Sequence, residues 1–139
     1  KYEWIDSYLL AKAGISKNLQ TELELIRYVI DGKMCVAVCL DEQDNPYYIT
    51  LKLRPENGMD LQEQHEDIIP GYYMKKKHWN SIKVNGSISD QLLKDMLDEA
   101  YELVLSSFSK KRQLENYLYN QKGNFDETMH WNDGNSLEI

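Results

Sequence analysis

The chain has little cysteine, little proline and no long apolar run, and each shortage excludes a class of protein. Cys35 and Cys39 are the two cysteines. In an extended segment they would stand about 13 Å apart, too far for a disulfide. Two unpaired thiols inside an apolar run read as packing residues and fit a reducing compartment, so a cytoplasmic location is expected. No segment approaches the roughly 20 apolar residues that a bilayer span needs, and no basic stretch leads into an apolar one at the start. Membrane insertion is therefore not expected. Three prolines and seven glycines among 139 residues rule out a low-complexity or collagen-like chain. Basic charge is also short: 16 Lys and Arg face 23 Asp and Glu, giving a net charge of −7. A molecule of that sign repels polyanions at long range, so any nucleic-acid contact must come from a local patch.

What is present suits one folded domain. Hydrophobic residues make up 42% of the chain, and ten tyrosines and three tryptophans supply large side chains to bury. Trp4, Ile5, Tyr8, Leu9 and Ala11 recur at helical spacing before Gly14, which predicts a first helix. Two β-rich stretches, 22–30 and 33–40, flank Asp31 and Gly32, a pair suited to a type I′ turn. A third strand is expected over 47–53, where Tyr47, Ile49, Leu51 and Leu53 alternate with Tyr48, Thr50 and Lys52. In the middle strand Met34, Val36, Val38 and Leu40 are assigned to one face and Cys35, Ala37 and Cys39 to the other. A short acidic helix is predicted over 59–66 and a further strand near 79–84. The most regular helical pattern carries Leu93, Met96, Leu97, Ala100 and Val104, with Ser87 and Asp90 as a capping-box-like start. The pattern predicts a two-layer α+β fold: helix, three-stranded antiparallel meander, helix, one or two strands, helix. Residues 1–111 form the domain; 112–139 are expected to add a terminal helix and a loosely held acidic tail.

The run Ile69-Pro70-Gly71-Tyr72-Tyr73-Met74-Lys75-Lys76-Lys77-His78-Trp79-Asn80 resembles the signature of the YjbR/MmcQ family, approximately P-G-Y-H-M-N-K-x-H-W. Lys76, His78 and Trp79 match it, whereas Tyr73 stands for the usual His and Lys75 for the usual Asn. The resemblance implies the same α+β arrangement. The family carries a DNA-binding label because its sheet-and-helix arrangement resembles a double-wing fold, which makes nucleic acid an expected partner.

No catalytic set can be assembled from the sequence. His65, His78 and His130 are scattered without cysteine partners, so no metal site is expected. No Gly-flanked serine elbow or Gly-rich phosphate loop appears, and neither catalysis nor a cofactor is predicted. Between 70 and 85, however, stand Lys75, Lys76, Lys77 and Lys83 with no acidic residue, interleaved with Tyr72, Tyr73, His78 and Trp79. Cations for phosphates beside flat rings for bases are what nucleic-acid grooves use. A plainer reading has these lysines neutralise the acidic stretch Glu56–Asp67. The alternative to nucleic acid is a protein-interaction role, which the net acidic charge would suit.

Overall fold

The computed structural model describes residues 1–71 and 78–108. Helix α1 (Ile5–Leu10) is followed by β1 (Ile15–Gln20), β2 (Leu25–Ile30), β3 (Lys33–Leu40) and β4 (Pro46–Lys52). Then come α2 (Pro55–Gln64), β5 (Ile68–Pro70), β6 (Trp79–Lys83) and α3 (Asp90–Leu105). The six strands form one antiparallel sheet in the order β1-β2-β3-β4-β6-β5. The α+β architecture read from the sequence is thus present, with four strands in the meander rather than three. Residues 21–24 turn between β1 and β2, so the stretch expected as one strand from Glu22 begins three residues later, at Leu25.

The Asp31-Gly32 hairpin forms as the dipeptide predicts, with φ of 46° and 82° at its two central residues. A register shift between Tyr28 and Val29 leaves Cys35 as an extra residue in β3, opposite neither neighbour. This overturns the simple alternation expected there. Cys35 turns into the helix-side core and its thiol donates to the Tyr28 carbonyl at 3.4 Å, while Cys39 packs beside Thr50 on the other face.

The helices begin and end elsewhere than the sequence suggests. α2 starts at Pro55, whose missing N–H costs nothing in the first turn. In addition, Glu99 on α3 accepts from the Arg54 backbone N–H at 2.8 Å and from Asn57 Nδ2 at 2.5 Å, fixing the N-terminus of α2. The cap of α3 is Ser89, whose hydroxyl accepts from Leu92 N at 3.1 Å. The expected box of Ser87 and Asp90 does not form, because Ser87 instead donates to Asp67 through its backbone N–H (2.9 Å) and its hydroxyl (3.2 Å). The proposed C-terminal helix and acidic tail at 112–139 lie outside the described residues.

The three helices among the described residues cover the same face of the sheet. Ile5 and Leu9 of α1, Leu61 of α2, and Leu93, Met96, Leu97, Ala100, Tyr101 and Val104 of α3 join one core. That core includes Tyr28, Val36, Val38, Ile49, Leu51, Ile68 and Ile82 from the strands. The opposite face is left to Leu25, Arg27, Ala37, Cys39, Tyr48, Thr50, Lys52, Trp79, Ser81 and Lys83, and none of its apolar members belongs to the core cluster.

Candidate nucleic-acid interface

Strand register brings together residues far apart in sequence. One row across the face away from the helices runs Asn18, Arg27, Ala37, Thr50, Ser81, Ile69. Its centre is small and closed: Ala37, Thr50 and Ser81 are wholly buried, and the Thr50 and Ser81 hydroxyls are hydrogen-bonded at 2.7 Å. On either side of that pair the β4–β6 ladder sets a cation opposite a ring, Lys52 against Trp79 and Lys83 against Tyr48. Arg27, Tyr48, Lys52, Trp79 and Lys83 are all half-buried at the rim of this floor. Every charged side chain that the strands place on this face is basic, in a molecule whose net charge is −7.

Of the eight residues that the sequence nominates, the structure places three. Lys83 and Trp79 lie on this rim, and His78 precedes Trp79, its carbonyl accepting from Leu53 N at 2.9 Å. Tyr72, Tyr73, Lys75, Lys76 and Lys77 lie outside the described residues. Arg27 and Lys52 escaped sequence reasoning, since nothing local marks them; only strand pairing reveals that they share a surface with Trp79 and Lys83. Among the described residues, Arg27, Lys52 and Lys83 make no ion pair. The Ser87 backbone N–H, its hydroxyl and the nearby Lys83 ammonium together hold the Asp67 carboxyl below its ordinary range, so Lys83 has a partial counter-charge at a distance. Lys83, Tyr47, Tyr48 and Asn85 also line a cavity of about 370 Å3 at the end of the ladder, together with the acidic Asp41 from the β3–β4 turn.

Glu56, Asp60 and Glu63 of α2 and Glu66 just after it are exposed, and none forms an ion pair among the described residues; their neutralisation by Lys75, Lys76 and Lys77 lies outside those residues.

The signature residues around this surface have structural work of their own. Gly71 donates its backbone N–H to the Trp79 carbonyl at 2.7 Å, and a Cβ at Gly71 would stand 2.6 Å from the Trp79 Cβ. Asn80 points to the helix side, where its side-chain oxygen accepts from Gln62 Nε2 at 2.5 Å and its amide lies against Gly58. The glycine and asparagine therefore lock β5, β6 and α2 together and set the position of Trp79 between them.

The cysteines offer no reactive centre. Burial pushes the Cys35 thiol up to about 12 and raises that of Cys39, so both stay protonated at neutral pH. No group of three or more His, Cys, Asp or Glu suited to a metal ion occurs among the described residues. No helix among them is long and apolar enough to cross a membrane.

A family model described as YjbR matches residues 10–103, which include all six strands and most of α3. The chain belongs to the YjbR family. Two relatives in that family's naming are uncharacterised proteins of Escherichia coli. YbdF of strain O157:H7 is 36% identical over 66 residues, 48% of this chain and 54% of that protein, so the match spans about half of that relative's length. YjbR of strain K12 is 23% identical over 106 residues, 76% of this chain and 88% of that protein. Among solved structures, the crystal structure of Deinococcus radiodurans protein DR2400, a DUF419 domain, superposes with a TM-score of 0.72 at 26% identity, covering 80% of this chain and 83% of that one. A Pseudomonas syringae protein shares the fold at 18% identity and a TM-score of 0.61, over 75% of this chain and 98% of its own. The resemblance to the YjbR family read in the sequence is thus borne out.

Proposed function

We propose that this YjbR-family domain is a binding module for nucleic acid, meeting phosphates with the basic rim of the sheet face turned away from α1, α2 and α3 and with the lysine run that precedes Trp79. The observation that carries the reading is the sorting of charge: on an acidic molecule, the strands gather Arg27, Lys52 and Lys83 on one face with no carboxylate among them. Trp79 and Tyr48, each opposite a lysine across the ladder, put aromatic surface beside the cations. Lys75, Lys76 and Lys77 stand within four residues of Trp79 in sequence. With few phosphate contacts and no helix on this face among the described residues, affinity should lie in the non-specific range, about 10⁻⁴ to 10⁻⁶ M at physiological salt.

The test is a fluorescence-anisotropy titration with labelled duplex and single-stranded DNA at low and physiological salt. Binding that strengthens at low salt and weakens several-fold in Arg27→Ala, Lys52→Ala and Lys83→Ala supports the reading. Absence of binding at low salt, or affinity unchanged when all three are replaced together with Lys75, Lys76 and Lys77, overturns it. A salt-insensitive protein partner, which the net charge of −7 would tolerate, is the second reading.

A further inference from the structure

The turn between β3 and β4 holds one carboxylate in a fixed place. The Asp41 N–H donates to the Asn45 carbonyl at 2.8 Å, and the Asp44 N–H to the Asp41 carbonyl at 2.9 Å. Asp41 Oδ1 accepts from the Gln43 and Asn45 N–H groups, each at 2.9 Å, which ties the side chain to its own turn. With Oδ1 so occupied, the acceptor that Asp41 has left to offer is Oδ2, which takes no hydrogen bond among the described residues.

The same turn walls the cavity at the end of the β4–β6 ladder. Tyr47 and Tyr48 line it with ring centroids 5.1 Å apart and planes tilted by 52°, and Lys83, Val84 and Asn85 close it from the end of β6. Its volume of about 370 Å3 lies at the lower end of the range for small-molecule sites. Asp41 and Lys83 are the charged residues that line it, one of each sign. A ligand that satisfies all of these groups is flat enough to lie on a tyrosine, carries a donor for the carboxylate and carries an anionic group for the ammonium. Inorganic phosphate and polyphosphates have neither ring nor donor. A nucleotide has all three in one unit: base, exocyclic amine and phosphate.

Asp41 Oδ2 also sorts the bases. Cytosine, adenine and guanine present an exocyclic amine, whereas uracil and thymine place carbonyl oxygens on either side of their one ring N–H, and those oxygens repel a carboxylate. A base inside a duplex is stacked on both faces and cannot lie on a tyrosine, so the cavity suits an unpaired one. Tyr48 and Lys83 belong to the cavity and to the basic rim alike. From Tyr48 the ladder runs on to Lys52, four residues away and about 13 Å along β4, which gives the rest of a strand a basic path.

We propose that this cavity seats one unpaired, amino-bearing base of a single-stranded nucleic acid, stacked on the tyrosine pair with its amine on Asp41 Oδ2 and its phosphate at Lys83; this deepens, and rests on, the nucleic-acid reading of the rim.

Fluorescence anisotropy of the full chain with labelled oligo-dC, oligo-dU and a duplex of equal length, at low salt, tests it. The two single strands differ along the pairing edge of their bases alone. Oligo-dC should bind about tenfold more tightly than oligo-dU, the worth of one hydrogen bond to a charged acceptor, and more tightly than the duplex. Asp41→Asn keeps the Oδ1 contacts that shape the turn and puts an amide NH2 where Oδ2 stood, so the preference for oligo-dC should vanish. Equal affinity for the two single strands, a preference that Asp41→Asn leaves unchanged, or duplex binding as tightly as oligo-dC refutes the seat. If that binding still weakens in Arg27→Ala and Lys52→Ala, the rim reading stands without it. Competition by free dCMP as strong as by unlabelled oligo-dC would assign the cavity to a mononucleotide and also count against the proposal. No binding of any of the three removes the rim and the seat together.

Discussion

At the scale of single residues, the family signature turns out to hold as much architecture as chemistry. Gly71, in that signature, has no positive φ, and its use is closeness: a Cβ there would meet the Trp79 Cβ, C and O at 2.6, 2.9 and 2.8 Å. Backbone atoms cannot swing aside, so Gly71→Ala should destabilise the domain by about 1–3 kcal/mol, measurable by urea unfolding, and should weaken any ligand contact that depends on Trp79. A variant as stable as the parent would show that β5 and β6 separate more easily than their packing implies. Asp6 gives a residue-scale prediction of the opposite kind, one of charge. The Lys17 ammonium above all, helped by the Tyr28 hydroxyl, holds its carboxyl below the usual range against the opposing effect of desolvation. A depressed folded value means that the stabilisation is complete above the unfolded carboxylate value of about 3.9 and is lost as pH falls through the folded one. Since Asp6 and Lys17 are 47% and 46% exposed, the gain is about 1 kcal/mol or less. Asp6→Asn should therefore lower stability slightly at pH 7 and flatten the acid limb of the stability profile below about pH 4. An acid limb as steep as the parent's would assign that sensitivity to other carboxylates.

At the scale of elements, legibility followed how local the cause is. The Asp31-Gly32 hairpin and the apolar stripe of α3 could be read because both rest on neighbours within one or two turns of chain. β1 could not: its burial pattern is one buried residue followed by five exposed ones, so its identity comes from backbone pairing with β2 and leaves little apolar signature. The bulge that turns Cys35 inward is likewise a matter of register, invisible to a strict period of two. The candidate interface shares that difficulty. Trp79 and Lys83 stand in one short segment and were found, whereas Arg27 and Lys52 lie on two other strands and join them only through pairing. The start of α3 shows the same competition at close range. Ser87 and Ser89 both precede the helix, and Asp67, arriving from the loop before β5, engages Ser87 and leaves the cap to Ser89. Ser89→Ala should cost about 1 kcal/mol by thermal or urea unfolding, and Ser87→Ala should leave the helix cap untouched. Equal losses of helix protection in amide exchange from the two variants would contradict this division of labour.

At the scale of the whole molecule, a basic face on an acidic body makes the salt dependence of binding a two-part curve. Close to the rim a phosphate meets Arg27, Lys52 and Lys83; from farther away it meets a net charge of −7. Which of the two dominates depends on how far charge is felt, about 10 Å at 0.1 M salt and about 30 Å at 0.01 M. Above roughly 0.1 M the body is screened and the rim acts alone, so the logarithm of the affinity should fall linearly with that of the salt concentration. Each phosphate contact contributes a slope of about −0.9 on duplex and −0.7 on single strands, and replacing the three rim cations should therefore flatten the line by about 2 to 3 units. Below that concentration repulsion from the acidic body enters the interaction, and affinity should level off instead of continuing to climb. A titration series from 10 to 200 mM salt resolves the two regimes. A straight line through the whole range would mean that the bound phosphates do not feel the acidic body, whereas a bend that persists after Arg27, Lys52 and Lys83 are replaced would place the contact on a different surface.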